Sequence, residues 1–128
     1  MKNLIILLVL TLSSCVKDDC VDYLIENKTN TPLEVITFEN GLVSSKADIS
    51  SNSYFNQLSI CDWGGNSLNY SLNDSIQVKV NNTVRKTYFP NGEGKNIYKT
   101  QDRNSWRLVE ENKHYSKFVF EITEQDLQ

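Results

Sequence analysis

The fold class is clearest from the segment Ser75-Ile76-Gln77-Val78-Lys79-Val80-Asn81-Asn82 and the residues that follow it. Its apolar residues alternate with polar ones, which is the period-two pattern of a strand with one buried face. The two asparagines suit a tight turn because asparagine tolerates positive φ, and residues 83–89 then return as a second strand. The segment therefore predicts an antiparallel β-hairpin.

Two segments nearer the N-terminus have a similar character. Residues 21–26 alternate in the same way, and residues 33–38 are rich in branched and aromatic side chains. The polar residues 27–30 between them form a turn signal, so we interpret the pair as a second β-hairpin. Residues 44–53 are polar and are predicted to form a loop.

Further short strands are predicted at 54–60, Ile97-Tyr98, 106–109 and 114–123. Strands at intervals of about 8–12 residues, with no convincing helical window, indicate an all-β protein. We predict a single domain over residues 21–128, an antiparallel two-sheet sandwich of about 7–8 strands that is immunoglobulin-like in architecture. A small β-barrel is the alternative.

The N-terminal residues have the layout of a secretory signal peptide. Lys2 precedes an unbroken apolar run at 4–10, and small residues then lead up to Cys15. A short run of this kind reaches about 14 Å as a helix, whereas the hydrocarbon core of a bilayer is about 30 Å thick. We therefore interpret residues 1–14 as a leader and not as a membrane span.

Leu12-Ser13-Ser14-Cys15 resembles the lipobox of bacterial lipoproteins. The resemblance implies that Cys15 is acylated, that residues 1–14 are removed, and that residues 15–20 form a lipidated tether. The lipid would then be the attachment of the protein to a membrane, and the set of acyl chains typical of the family gives a stable anchor.

Lys17-Asp18-Asp19 resembles the export tag of surface-exposed lipoproteins of the Bacteroidota, although a solvated tether would also be charged. The order of the segments 23–29, 74–78 and 115–122 resembles small uncharacterised lipoproteins of gut and oral Bacteroidota. That group has no catalytic motif to carry over. Together the resemblances imply an outer-membrane location, anchored by lipid and exposed at the cell surface.

With Cys15 assigned to the lipid, Cys20 and Cys61 remain as an even pair. In an exported protein such a pair predicts a disulfide. A metal site is the competing interpretation, but the chain has no Cys-x-x-Cys spacing and a single histidine. We expect neither a metal nor a cofactor.

The charge of the chain limits its partners. Lys and Arg number 13 and Asp and Glu 16, for a formal charge of −3, and removal of Lys2 with the leader makes the mature chain more negative. Because no basic cluster is present, we expect no nucleic-acid partner. We expect the domain to be monomeric.

The sequence offers little for catalysis. His114 is the sole histidine and lies beside a charged turn, where a solvated or partly packed side chain is the usual outcome. No nucleophile elbow, zinc-protease motif or glycine-rich phosphate loop occurs. We therefore predict that the protein is not an enzyme.

Two residues are candidate functional sites. Trp63 precedes two glycines and follows Cys61 closely, so its ring is a candidate for glycan or protein recognition, although it would also suit a cap over the sandwich. Asp74-Ser75-Ile76 resembles the site where Bacteroidota attach O-glycans to exported proteins, which makes Ser75 a candidate for O-glycosylation. The competing interpretation is that Ser75 begins a strand.

Two classes of function fit these features. The first is a lipid-anchored cell-surface binding module without catalytic activity, whose ligand is a glycan or a protein. The second is an inhibitor or immunity-type lipoprotein that blocks a hydrolase or a toxin. The anchor, the sandwich and the absence of catalytic groups favour the first class, and a small acidic domain braced by a disulfide suits the second.

Overall fold

The computed structural model describes residues 19–62 and 68–128, so the predictions for Cys15, Lys17, Asp18 and Trp63 lie outside the described residues. Eight strands are present: β1 Asp19–Asn27, β2 Leu33–Glu39, β3 Leu42–Ile49, β4 Tyr54–Asp62, β5 Ser75–Val80, β6 Thr83–Tyr88, β7 Arg107–Asn112 and β8 Tyr115–Ile122. A short 3-10 helix, Gln125–Leu127, follows β8. Within the described residues, no helix has the length and apolar character needed to cross a membrane.

The strands form two four-stranded sheets. Sheet A has the order β4-β1-β8-β7 and sheet B the order β3-β2-β5-β6. Every pairing is antiparallel except that of β1 with β8, which is parallel. Among the described strands no ladder joins the two sheets, which confirms the predicted two-sheet sandwich and not the closed barrel.

The hairpin from which the fold class was predicted is confirmed. β5 pairs with β6, and the turn residues Asn81 and Asn82 have φ values of 49° and 64°. The inward-facing residues of this and the other strands form one core between the sheets. Its fully buried aromatic and aliphatic side chains include those of Ile25, Leu33, Ile49, Ile76, Val78, Ile97, Trp106, Phe120 and Ile122.

The predicted pairing of residues 21–26 with residues 33–38 is wrong. β1 pairs with β4 and β8 in sheet A, whereas β2 pairs with β3 and β5 in sheet B. The turn cluster at 27–30 therefore begins a crossing from one sheet to the other. Alternation in residues 21–26 and the branched and aromatic composition of residues 33–38 correctly predicted two strands, but neither signal carries information on the partner of a strand.

The predicted loop at 44–53 is also wrong over most of its length, because β3 runs from Leu42 to Ile49. β3 is an edge strand whose side chains are exposed at most positions. Because few of its side chains are buried, its sequence lacks the alternation of apolar and polar residues that predicts a strand. Polar side chains at a sheet edge are common because they discourage pairing with other chains.

No strand forms at Ile97-Tyr98. These residues lie in an irregular segment between β6 and β7 that covers one open side of the sandwich. Ile97 is fully buried, and its carbonyl oxygen accepts a hydrogen bond of 2.9 Å from the indole Nε1 of Trp106. The side chain of Asn96, also buried, donates to the carbonyl oxygens of Phe89 and Gly92. Side-chain hydrogen bonds thus replace a strand ladder in this segment.

The two ends of the sandwich can be distinguished by where β1 begins and ends. Asn27, at the end of β1, donates a hydrogen bond of 3.0 Å to the carbonyl oxygen of Ile49, at the end of β3. We call this the far end. We call the other end, where β1 starts at Asp19, the N-terminal end. Because sheets in a sandwich align within about 30°, the ends of the sheet B strands that lie away from Ile49, including Leu42 and Ser75, are also at the N-terminal end.

Candidate functional site

The predicted Cys20–Cys61 disulfide is present, with an Sγ–Sγ distance of 2.05 Å. The two cysteines stand directly opposite each other on β1 and β4. Because β1 begins and β4 ends at the N-terminal end, the crosslink holds the two strands together there.

A cleft of about 720 Å³ lies at the same end of the sandwich. It is formed by the start of β1, the turn between β7 and β8, and Gln101 from the segment between β6 and β7. The side chains that line it are mixed in character: Asp19, Cys20, Val21, Tyr23, Gln101, Glu111, Asn112, Lys113, His114, Tyr115, Ser116 and Phe118.

Aromatic rings form the floor of this cleft. Tyr23 and Phe118 face each other across the parallel pair β1–β8, and their rings stack with centroids 4.9 Å apart. Trp106 meets Tyr23 edge-on from the core, at 5.4 Å between centroids. Trp106 is fully buried, so the floor rests on close-packed interior and is held in one geometry.

A cation lies beside the floor. The guanidinium carbon of Arg103 is 4.2 Å from the centroid of the Phe118 ring. Its Nη1 donates to the carbonyl oxygen of Trp106 and its Nη2 to that of Thr100, both at 3.2 Å. Two carbonyl acceptors therefore hold a positive charge in place against the aromatic ring, which is a favourable arrangement.

The mouth of the cleft is polar and contains side chains of both signs of charge. The imidazole Nδ1 of His114 lies 3.0 Å from a carboxylate oxygen of Asp19; the Asp19 side chain is exposed and that of His114 is partly buried. A backbone hydrogen bond also holds His114 beside β1, since the amide of Cys20 donates to the carbonyl oxygen of His114 at 2.8 Å. The His114–Asp19 pair contributes little stability in water, but it fixes the imidazole at the mouth of the cleft.

A polar network braces the opposite face of sheet A. The carboxylate of Asp22 accepts hydrogen bonds of 2.6 Å from the hydroxyls of Ser59 and Tyr115. The bond from Tyr115, assisted by partial desolvation and by the negative charge of Asp22, raises the pKa of the tyrosine to about 12. This network joins β4, β1 and β8 side by side behind the cleft.

The structure places three other predicted residues. Asp19, the third residue of the candidate export tag, is the first residue of β1, so β1 begins two residues before the predicted domain boundary. His114 lies in the turn between β7 and β8, at the cleft. Ser75 is the first residue of β5 and is half-buried, and the carboxylate of its neighbour Asp74 accepts a hydrogen bond of 2.7 Å from the amide of Gly41.

Sequence reasoning missed the cleft itself. Gln101 comes from an irregular segment with no motif, and Glu111 comes from a strand whose side chains are all exposed. The one available signal was Cys20, since a disulfide near the start of a domain indicates a braced end. Cys20 lies beside His114, the only histidine of the sequence, because β1 pairs in parallel with β8, and the sequence does not reveal that pairing.

Within residues 19–62 and 68–128, no group of three or more His, Cys, Asp or Glu side chains is arranged to hold a metal ion. The described residues form a small β-sandwich domain. Comparison with protein-family models, curated proteins and solved structures found no match to this chain.

Proposed function

We propose that this protein is a lipid-anchored binding module of the cell surface, without catalytic activity, that takes a glycan as its ligand. One observation carries the proposal: a mixed apolar and polar cleft lies at the disulfide-braced end of the domain. That end begins at Asp19, four residues after the cysteine of the lipobox-like segment.

The shape and chemistry of the cleft favour a small ligand. Its volume of about 720 Å³ falls within the range of about 300–1,000 Å³ that is usual for small-molecule sites. Sugar rings offer an apolar face that stacks on aromatic rings and hydroxyls that hydrogen-bond to polar groups. At the floor, Phe118, whose ring already contacts Tyr23 and Arg103, offers its remaining apolar surface, and Gln101 and Glu111 at the mouth of the cleft offer hydrogen-bonding groups.

Trp63 is proposed to extend this site. It stands two residues beyond Cys61 in the sequence, and Cys61 is bonded to Cys20 in the wall of the cleft. A covalently fixed strand end is a suitable support for a recognition loop, because pre-organisation reduces the ordering cost of binding.

The proposal of a non-catalytic role rests on the surroundings of His114. Its Nδ1 is occupied by Asp19, and Ser116 also lines the cleft. A Ser-His-Asp arrangement requires the serine hydroxyl to bond to the second ring nitrogen. Among the described residues, no hydrogen bond links His114 to Ser116, which supports a role of these two residues other than that of a nucleophile and its base.

The cell-surface location is proposed from the N-terminal segment. The apolar run before Cys15 and the charged residues Lys17 and Asp18 after it resemble the leader and export tag of Bacteroidota lipoproteins. The start of β1 at Asp19 supports this location, since a short tether then joins the sandwich to the acylated cysteine at the outer membrane.

A glycan array tests the ligand class. The chain from Cys15 to Gln128, with Cys15 changed to serine, is applied to arrays of bacterial and host glycans. We expect binding to at least one glycan family, reduced about tenfold or more by Gln101→Ala and by Trp63→Ala, because each removes a direct contact. The matched control is Lys46→Ala, an exposed residue of β3 away from the cleft.

Two outcomes would contradict the proposal. Glycan binding that is indifferent to both Gln101→Ala and Trp63→Ala would remove the cleft as the site. Binding confined to a hydrolase or a toxin, with loss of that enzyme's activity, would favour the inhibitor or immunity-type role instead.

A further inference from the structure

A group of exposed apolar side chains lies at the N-terminal end of sheet B, while others, such as Tyr54 of β4, lie elsewhere on the described surface. Four side chains of this group have more than half of their surface accessible to water: Leu42 at 73%, Val43 at 51%, Leu72 at 74% and Phe89 at 58%. We call these four residues the apolar rim. None of them belongs to the core, so their hydrophobic surface remains exposed to water in the folded domain.

Strand register places Val43 and Phe89 in one row at the two edges of sheet B, with Phe38 and Ser75 between them. Val43 of β3 stands opposite Phe38 of β2, and Phe38 stands opposite Ser75 of β5. Tyr88, the last residue of β6, pairs with Ile76 of β5. Phe89 comes directly after Tyr88 and therefore lies beside Ser75. Neighbouring strands lie about 4.8 Å apart, so the row extends over about 14 Å.

The loop that carries Leu72 is fastened to the tip of the β2–β3 hairpin. The amide of Asp74 donates to the carbonyl oxygen of Phe38 at 2.8 Å, and the carboxylate of Asp74 accepts from the amide of Gly41 at 2.7 Å. Leu42 follows Gly41 directly. The two most exposed side chains of the rim are therefore held close together on one hydrogen-bonded frame.

The rim lies at the same end of the sandwich as the start of β1. A fully extended chain advances about 3.3–3.6 Å per residue, so the four residues from Cys15 to Asp19 span at most about 14 Å. Packed sheets are about 10 Å apart, so the sheet that carries the rim lies about that far from the sheet in which β1 begins. A lipid on Cys15 would hold both within reach of the membrane surface.

We propose that the apolar rim inserts into the outer leaflet of the membrane that holds the lipid anchor, and that it thereby fixes the orientation of the domain. This inference rests on the proposed lipidation of Cys15. The anchor keeps the rim at a high effective concentration near the bilayer, so a modest apolar contact is enough for docking.

Docking of this kind depends on apolar burial and not on charge. Two acidic residues lie beside the rim: the carboxylate of Asp74 accepts a hydrogen bond from the amide of Gly41, and Glu39 of β2 pairs with Leu42. Because apolar burial drives insertion into a zwitterionic bilayer, insertion is insensitive to salt. It holds the cleft on sheet A close above the bilayer and favours ligands presented at the membrane surface.

Fluorescence quenching by brominated lipid tests the proposal. The chain from Cys15 to Gln128 is coupled through the Cys15 thiol to a maleimide phospholipid in vesicles of phosphatidylcholine with brominated acyl chains, since Cys20 and Cys61 are paired. A reporter is introduced as Leu42→Trp, and the control is Val84→Trp, at an exposed apolar residue of the far end. Quenching relative to unbrominated vesicles is recorded after subtraction of the parent chain.

We expect the added tryptophan of Leu42→Trp to be quenched, and that of Val84→Trp to remain unquenched. Adding Leu72→Ser to Leu42→Trp should reduce the docked population about tenfold, because a leucine no longer enters the lipid. Adding Lys46→Ala as a control should leave quenching intact. High salt should have no effect.

Equal quenching of the two reporters would overturn the proposal. A dimer of the unlipidated chain that Leu72→Ser dissociates would overturn it too, since the rim would then be covered by a second copy. A glycan on Ser75 in the native protein would also contradict it, because the sugar would stand in the middle of the row. Thiol coupling supplies the anchor in vesicles, so the quenching result does not depend on acylation in cells. A lack of acylation in cells would contradict the proposed function and would leave the quenching result unchanged.

Discussion

The side-chain amide of Asn27 connects the end of β1 to the carbonyl oxygen of Ile49, the last residue of β3, by a hydrogen bond of 3.0 Å. Asn27 is fully buried, and its other bonds are also made. Its Nδ2 donates to the carbonyl oxygen of Thr31, and its Oδ1 accepts from the amide and the hydroxyl of Thr29. One side chain therefore fixes the crossing between the sheets and aligns their ends.

Asn27→Ala should lower the free energy of unfolding by about 2–3 kcal/mol, because it leaves buried carbonyl oxygens and the Thr29 hydroxyl without their partner. Urea denaturation measures the change. The control is Asn30→Ala, an exposed residue of the same crossing, which should shift stability by less than about 0.5 kcal/mol. Equal effects of the two substitutions would show that the Asn27 bonds do not stabilise the crossing.

Removal of the disulfide should destabilise the domain strongly. Cys20 and Cys61 are 41 residues apart in sequence, and closure of a loop of that length corresponds to about 4 kcal/mol of chain entropy in the unfolded state. The Cys20→Ala/Cys61→Ala variant should therefore unfold at a much lower urea concentration than the oxidised parent. The reduced parent should behave like the variant, and a reduced parent as stable as the oxidised one would contradict this account.

Trp106→Phe should destabilise by about 2–4 kcal/mol, since it leaves a cavity in the core and deprives the buried Ile97 carbonyl of its donor. The substitution also removes packing from beneath Tyr23, in the cleft floor. We therefore expect weaker ligand binding as well as lower stability. Unchanged stability in urea would mean that the segment between β6 and β7 is not held by this indole.

Acid should destabilise the domain in part through Asp126. Burial opposes ionisation of this carboxyl, but hydrogen bonds from Lys95 and Thr123 outweigh that effect, and the pKa of Asp126 lies below its usual value. The resulting stability is present above the unfolded-state pKa of about 3.9 and is lost as the pH falls through the lower folded-state pKa.

Asp126→Asn should consequently lower stability at neutral pH by about 1–2 kcal/mol and make it less dependent on pH between about 5 and 2. Thermal unfolding over that range measures both effects. Glu93→Gln, at an exposed position, controls for the change in net charge. A variant whose stability falls with acid as steeply as that of the parent would contradict the assignment to Asp126.

The parts of the fold that the sequence predicted are those governed by local rules. Alternation in β5, with Asn81-Asn82 after it, specifies a hairpin because the turn residues bring the two strands together directly. β1 shows equally clear alternation, but its partners β4 and β8 are distant in sequence. Pairing over such separations depends on how the whole core packs, which no local pattern encodes.

The cleft lies beyond sequence reasoning for a similar reason. Asp19 and His114 come from opposite ends of the domain and meet because β1 and β8 are parallel neighbours. Gln101 arrives on a segment shaped by the buried side chains of Asn96 and Trp106. Their identities are visible in the sequence, but their proximity is a property of the folded chain.

We propose above all that Cys15 anchors a binding module at the cell surface. Metabolic labelling with an alkyne fatty acid in the native host tests it most directly, with the protein recovered from whole cells and from cells treated with protease. We expect label on the wild-type protein and on Ser13→Ala, none on Cys15→Ala, and loss of the labelled protein when intact cells are treated with protease. A wild-type protein that carries no label, or a labelled protein that survives protease until the cells are lysed, would contradict the claim.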